Sequence, residues 1–283
     1  MIAPAAAGAP AGRFLDTPHG RTFCLHRPGR GEACVIVVPP FAEEMNRCRR
    51  MWTLLAAQLA TSGIGTLIPD LQGTGESDGD FAAARWNAWR EDLAAACQCA
   101  RSAGARHVAL LGVRLGALLA LDFLRRPPGE PNSGIARLIL WQPVLDGRLH
   151  MNQFLRLKLA AGMRQPASKE TTATLRERLA RGERLEVAGY ELAAELVAAI
   201  DAAGNEPLLP ATLARIDWLE VSTADTPALA PVSERVLATW RAGGVNVHAR
   251  VVHGEPFWAL QEITIAPELI TATRAAVLEV LPS

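Results

Sequence analysis

Short aliphatic and β-branched runs alternate along the chain with longer stretches of helical period. That alternation predicts a mostly parallel sheet covered by helices on both faces. Arg13–Thr17 and Thr22–His26 flank a Pro-His-Gly turn and are expected to form an opening hairpin. Ala33–Val38 is the next strand, and Pro39-Pro40 then forces an extended loop. A helical pattern over Arg50–Ser62 stops at Gly63, a C-capping residue, and Thr66–Pro69 resumes the sheet. The next helix is expected over Trp86–Ala103, closed by Gly104. His107–Leu111 reads as a buried strand running with little spacer into a helix over Leu115–Arg126. Further strands are expected at Arg137–Trp141, Trp218–Ser222 and Val247–Val252, with a closing helix over Pro267–Leu281.

The stretch between the Arg137 and Trp218 strands is too long for a simple crossover. Within it, Asn152–Gly162, Thr171–Arg181 and Tyr190–Ala203 read as amphipathic helices. The expected organisation is therefore one α/β core of residues 13–147 and 216–283, with a small helical cap inserted at 148–215. Residues 1–12, rich in Ala, Pro and Gly, read as a flexible tail without a cationic start or an apolar segment.

The sharpest local signal is Gly112-Val113-Arg114-Leu115-Gly116, set between a buried strand and a helix. A nucleophile elbow, G-x-S-x-G, needs that context, because its glycines permit a strained turn and close strand–helix packing. Both glycines are present and Ala117 keeps the helix start slim, but arginine stands at the centre. Asp70-Leu71-Gln72-Gly73-Thr74-Gly75-Glu76-Ser77 follows the preceding strand and resembles the D-x-x-G-x-G-x-S loop common in α/β hydrolases. Trp89 and Asp92-Leu93 fall on the intervening helix at the superfamily's usual spacing. The glycines and Ser77 of that loop are expected to shape a turn. Together these features resemble the α/β-hydrolases, and that fold is the one expected.

Three positions would complete a hydrolase site. Pro39-Pro40-Phe41-Ala42-Glu43-Glu44 stands where an oxyanion loop belongs, with a backbone N–H expected near Phe41. The acid should follow the Trp218–Ser222 strand, where Asp225 qualifies; Asp146, after the Arg137–Trp141 strand, is the alternative. The base should follow the last strand, in Val252-His253-Gly254-Glu255-Pro256-Phe257-Trp258. His253 is near, yet a Gly-x-His-Phe register would put Pro256 in the histidine's place. The remnant triad is thus Arg114, Asp225 and His253, with the base position open.

Arginine keeps its proton at any ordinary pH and cannot attack an acyl carbon. At the elbow it would also sit beside the positive end of a helix dipole, which disfavours a cation by about 0.3–1 kcal/mol when exposed. A partner is therefore expected, from Glu43, Glu44, Asp225 or Glu255, which converge on the carboxyl end of the sheet. Two outcomes stay open: Arg114 plugs a fossil site by bridging one of these carboxylates, or it anchors an anion-binding pocket with free helix N–H groups such as that of Leu115. Gln142 would point into the same crevice, and Trp258 would form its wall. The Arg47, Arg49, Arg50 cluster reads as a solvated helix start.

Composition narrows the picture without changing it. Hydrophobic residues make up 49% and charged residues 20%, as in ordinary globular proteins. Lys+Arg and Asp+Glu balance at 29 each, so no nucleic-acid partner is expected. The longest apolar run, His107 to Leu124, is interrupted by Arg114 and too short to span a membrane. Five cysteines without a CxxC pair predict reduced thiols and a cytoplasmic location. No cofactor loop or metal-ligand spacing is present, so no cofactor and no metal are expected.

Several blocks carry a more specific resemblance: Pro39-Pro40-Phe41-Ala42-Glu43-Glu44-Met45-Asn46 with Arg49-Arg50-Met51, Ala84-Arg85-Trp86, Leu111-Gly112-Val113-Arg114-Leu115-Gly116-Ala117, Leu140-Trp141-Gln142-Pro143 and Gln153-Phe154-Leu155-Arg156. Over nearly the whole chain they resemble the exosortase A system-associated hydrolases of the second type. The resemblance implies an α/β-hydrolase fold in exopolysaccharide-producing bacteria that sort proteins through an exosortase. It implies no settled substrate, and arginine at the elbow is usual in that group. Two functions follow as expectations. One is a pseudohydrolase that binds a small carboxylate or phosphate, or a protein partner of the exosortase system. The other is a working hydrolase on an ester or thioester, using His253 with water, Cys48 or Ser77.

Overall fold

The structure, a computed structural model, describes residues 8–125, 135–162, 170–204, 213 and 215–279. Strands β1 (Ala11–Thr17) and β2 (Gly20–Arg27) form the expected antiparallel hairpin. β3 (Ala33–Val38), β4 (Gly65–Pro69), β5 (His107–Val113) and β6 (Ile135–Trp141) continue the sheet. Two strands of a separate hairpin, β7 (Leu185–Val187) and β8 (Tyr190–Leu192), precede β9 (Arg215–Ser222) and β10 (Val247–His253). The main sheet has the order β1-β2-β4-β3-β5-β6-β9-β10, parallel from β4 onward.

Strands buried on both faces need no polar alternation, and β3 is buried at every position. Its side chains divide by the two-residue period of a strand. Val35 and Val37 face α1 (Glu43–Thr61) and α8 (Pro267–Leu278), packing with Met51, Trp52, Leu55 and Leu269. Ile36 and Val38 face α2 (Trp86–Ser102) and α3 (Leu115–Arg125), beside Leu93, Ala96 and Leu118. Near the base of the sheet, Arg137 of β6 is fully buried, with Nε 2.7 Å from Asp217 Oδ2 on β9. Arg215 also reaches Asp217, with Nε 3.0 Å from Oδ1, and Nη1 reaches Glu279 at 2.7 Å.

The segment between β6 and β9 holds α4 (Gly147–Gly162), α5 (Thr172–Ala180), the β7–β8 hairpin and α6 (Ala194–Ala202). Met151, Leu155, Leu175, Leu196 and Ile200 from these elements share one core with α3. This segment therefore packs continuously onto the helix-covered sheet.

Three expectations are corrected, and one helix was not expected. β1 begins at Ala11, so pairing with β2 orders the end of the expected tail; residues 1–7 of that tail lie outside the described residues. α1 begins at Glu43, seven positions before Arg50, because Met45, Cys48, Met51 and Trp52 already keep a buried helical stripe beneath the polar Asn46, Arg47, Arg49 and Arg50. Tyr190–Ala203 is not one helix. Ala188 and Gly189, at φ 51° and 85°, turn β7 back into β8 before α6 starts. α7 (Pro231–Ala242), begun by proline at its first turn, has no counterpart in the sequence reading. Arg126 and Leu281, the ends of two expected helices, lie outside the described residues.

Candidate functional site

One residue, Arg114, separates β5 from α3, and its φ is 54°. For a residue with a Cβ this left-handed conformation costs about 1–2 kcal/mol. The turn is held from both sides: Arg114 N–H donates to Trp141 O at 3.0 Å, and its carbonyl accepts from Ala117 N and Val144 N. The flanking glycines are required by contact. A Cβ on Gly116 would stand 2.2 Å from Val38 O, and one on Gly112 would stand 2.7 Å from Ala117 Cα. The sequence motif is thus an elbow in geometry as well.

The elbow presents the Arg114 side chain, 18% exposed, toward the start of α1. Nε and Nη2 both donate to Glu44 Oε1 at 3.4 Å, and Nη1 donates to Gln142 O at 3.2 Å. Cζ lies 5.1 Å from the centre of the Trp258 ring, a cation–π distance. Of the four carboxylates the sequence offered, Glu44 is the one that meets the guanidinium. The contact is long for a charged hydrogen bond, and it engages a single oxygen. Glu44 Oε2 is buried without a partner. Burial pushes the Glu44 carboxyl up, against the pull of Arg114 and then of Arg47.

Gln142 also has a positive φ, 41°. Its N–H donates to Leu219 O and its Oε1 accepts from Val221 N at 3.0 Å, which ties its side chain to β9. Gln142 therefore serves Arg114 through its carbonyl, where the sequence pointed to its side chain.

Above the guanidinium lies a cavity of about 320 Å³ between the start of α1, α4 and the Trp258 loop. Its apolar wall is Phe41, Phe154, Leu157 and Trp258; its polar groups include Glu43, Glu44, Arg47, Arg114, His150 and Gln153. Arg114 and His150 also border a second, more polar cleft of about 700 Å³. Phe41 makes edge contacts with Phe81, Phe154 and His150 at 5.5, 4.9 and 6.0 Å between ring centres, which fixes the loop before α1. Ala42, next in that loop, has φ 52°. The sole tyrosine of the chain, Tyr190, donates to Glu43 Oε2 at 3.1 Å and joins the insertion to α1.

His150 was not found by sequence reasoning, because no motif surrounds it and a helical histidine is ordinarily unremarked. It is 7% exposed, and its Nε2 has no partner. Burial, then the charge of Arg114, pushes its pKa down to about 3, so the ring is neutral at physiological pH.

The other sequence candidates lie elsewhere. Asp225 is exposed in the loop after β9, and His253 is exposed at the end of β10, where its N–H donates to Glu268 Oε2 at 3.1 Å. Glu255 is exposed, Pro256 half-buried, and Leu115 is buried at the start of α3. Asp146 accepts from Leu149 N at 2.8 Å and caps the start of α4. Ser77 donates to Asp70 O and accepts from Phe23 N, so its hydroxyl shapes the turn as expected. Cys48 is buried, and desolvation followed by Glu44 raises its thiol well above the usual range. The three arginines of α1 diverge: Arg47 donates to Ala259 O, Arg49 to Asp70, and Arg50 is exposed.

No helix among the described residues is long and apolar enough to cross a membrane. The chain is similar in structure to Est1E from Butyrivibrio proteoclasticus with ferulic acid bound, at TM-score 0.63 and 15% identity, covering 94% of this chain and 98% of that one. A malate-bound thermophilic esterase from Thermogutta terrifontis gives 0.59 and 19%, with 96% and 99% covered. The thioesterase domain from the curacin biosynthetic pathway gives 0.57 and 14%, with 96% and 100% covered. Identities this low speak for the fold alone, which is that of the α/β hydrolases. A search of curated proteins finds no match. Residues 29–221, from before β3 to the end of β9, match the family described as serine aminopeptidase, S33, and the chain belongs to that family.

Proposed function

We propose that this protein is a non-catalytic member of its family that binds a small carboxylate at Arg114. The observation that carries the reading is the elbow itself: a strained turn delivers a permanent cation, in place of a nucleophile, to the floor of a cavity. A guanidinium has five N–H donors, and the contacts to Glu44 and Gln142 use three. The remaining two suit an anionic group, the N-terminus of α3 adds favourable dipole, and Phe154, Leu157 and Trp258 suit an apolar body. Glu43 and Glu44 favour a monoanion over phosphate, since a dianion would leave the site strongly negative. The long contact to Glu44 and the open space above it weigh against a sealed plug.

The working-hydrolase reading lacks a nucleophile. Ser77 is committed to its turn, Cys48 is a buried thiol held protonated, and the remnant acid and base are exposed. The sequence blocks around Pro39, Trp86 and Arg114 support a role in an exosortase and exopolysaccharide system, where a cognate protein partner would be met.

Two results are expected. A fluorophosphonate probe leaves the protein unlabelled and p-nitrophenyl acetate is not turned over, both in the native chain and in Arg114→Ser, which gains a hydroxyl while His253 stays exposed and burial keeps His150 a weak base. Stoichiometric labelling lost on Ser77→Ala would sink the non-catalytic reading. Calorimetric titration with benzoate shows binding that weakens about tenfold to a hundredfold in Arg114→Gln, the loss of a charge-assisted contact. Equal affinity in the variant would remove Arg114 from the site.

A further inference from the structure

Resting on the carboxylate-site reading, we infer that the ligand binds together with one proton, taken up from bulk water by Glu44 as the incoming carboxylate takes a share of the Arg114 charge. The argument begins with partners. Glu44 is joined to one cation by a long contact through one oxygen, while its other oxygen is buried and unpaired. Charged and titratable groups facing it are Glu43, Arg47 and Cys48 from α1, Arg114 from the elbow and His150 from α4. Arg47 is committed to the carbonyl of Ala259, Cys48 is a protonated thiol, and His150 is neutral. Among the described residues, no other cation is placed to take over the contact that Arg114 makes with Glu44.

The charge count points the same way. Free, the site holds Glu43 and Glu44 against Arg47 and Arg114, a formal charge of zero. A monoanion added alone would leave a net negative charge beside Glu44, whose second oxygen is already buried and unpaired, which is unfavourable. A monoanion added with a proton restores neutrality, and protonated Glu44 becomes an O–H donor to the ligand carboxylate beside the two guanidinium N–H groups. Burial already pushes this carboxyl up while Arg114 holds it down, so diverting Arg114 moves it further up and draws in the proton.

The sign is then fixed. Because the complex binds more protons than the free protein, affinity is greatest at low pH and falls as pH rises between the free and bound pKa values of Glu44. The limit is one proton, a tenfold loss per pH unit. Calorimetric titration of the native protein with benzoate, above the pH at which benzoate itself titrates, in MES and in bis-Tris, measures the uptake directly as the difference in heat. Uptake approaching one proton is expected, and none in Glu44→Gln, which mimics the protonated carboxyl and binds with flat pH dependence, more tightly than the native protein at pH about 7.5. Benzoate binding with the same heat in both buffers would overturn the proposal while leaving the carboxylate site standing. Uptake that persists in Glu44→Gln but vanishes in His150→Phe would assign the proton elsewhere and overturn it too. Failure of benzoate to bind either the native protein or Glu44→Gln at pH about 5.5 would refute the carboxylate site itself, and this inference with it.

Discussion

Asp217→Ala is expected to destabilise the protein by about 3–5 kcal/mol, read as a drop in the urea midpoint with an unchanged slope. The cause is the cation left behind. Arg137 has no exposed surface, its Nε–Asp217 contact is 2.7 Å, and its Nη1 has no hydrogen-bond partner. Arg215 keeps its contact with Glu279 after the substitution, whereas Arg137 keeps no carboxylate in direct contact among the described residues. A loss of this size is a large fraction of the roughly 5–15 kcal/mol by which folded domains are stable. Because the pair is held at a desolvation cost, the double variant Arg137→Met with Asp217→Leu is expected to recover most of the loss. If Asp217→Ala costs less than about 1 kcal/mol, solvent reaches Arg137 and the base of the sheet is looser than described.

Gly116→Ala is the second large effect, expected at about 3 kcal/mol or more, with poor soluble yield. The added methyl would meet Val38 O at 2.2 Å and Pro39 O at 2.5 Å, both backbone atoms at the point where β3 leaves the sheet. Backbone carbonyls at the end of a paired strand cannot swing aside as a flexible side chain would. Gly112→Ala meets Ala117 Cα at 2.7 Å and should be the milder of the two. The ranking is checkable by thermal melting; a reversed order would mean that α3 shifts more readily than the end of β3.

The core strands were legible because they are buried on both faces and therefore read as uninterrupted aliphatic runs; β3 falls at Ala33–Val38 as expected. The elbow was legible because the two glycines it requires stand within five residues, directly between an aliphatic strand and a helix, although Gly116 answers to the remote carbonyls of Val38 and Pro39. Elements whose evidence is tertiary were not. The first two turns of α1 carry Glu43, Glu44, Asn46 and Arg47, whose polar density hides the stripe that Met45 and Cys48 begin. The β7–β8 hairpin contributes only three residues per strand, and its turn depends on Ala188, a residue with no turn signature. At the site, sequence placed Arg114 and a set of four acids, but the choice of Glu44 depends on where the register of α1 lets a side chain point. His150 reaches the cavity only because α4 folds back over Phe41, a juxtaposition no local pattern encodes.

The strained turn at position 114 aims whatever side chain it carries at one fixed spot. That makes the position a place to install a reporter. Of the five native thiols, Cys24, Cys34, Cys48 and Cys97 are buried and held protonated by desolvation, and Cys99 is only partly exposed. A thiol introduced by Arg114→Cys would instead stand at the N-terminus of α3, where the helix dipole favours thiolate. It would react first with a small maleimide and offer a single addressable site for a fluorophore or spin label on the floor of the cavity. The turn that fixes Arg114 would then be read as a coordinate for spectroscopy.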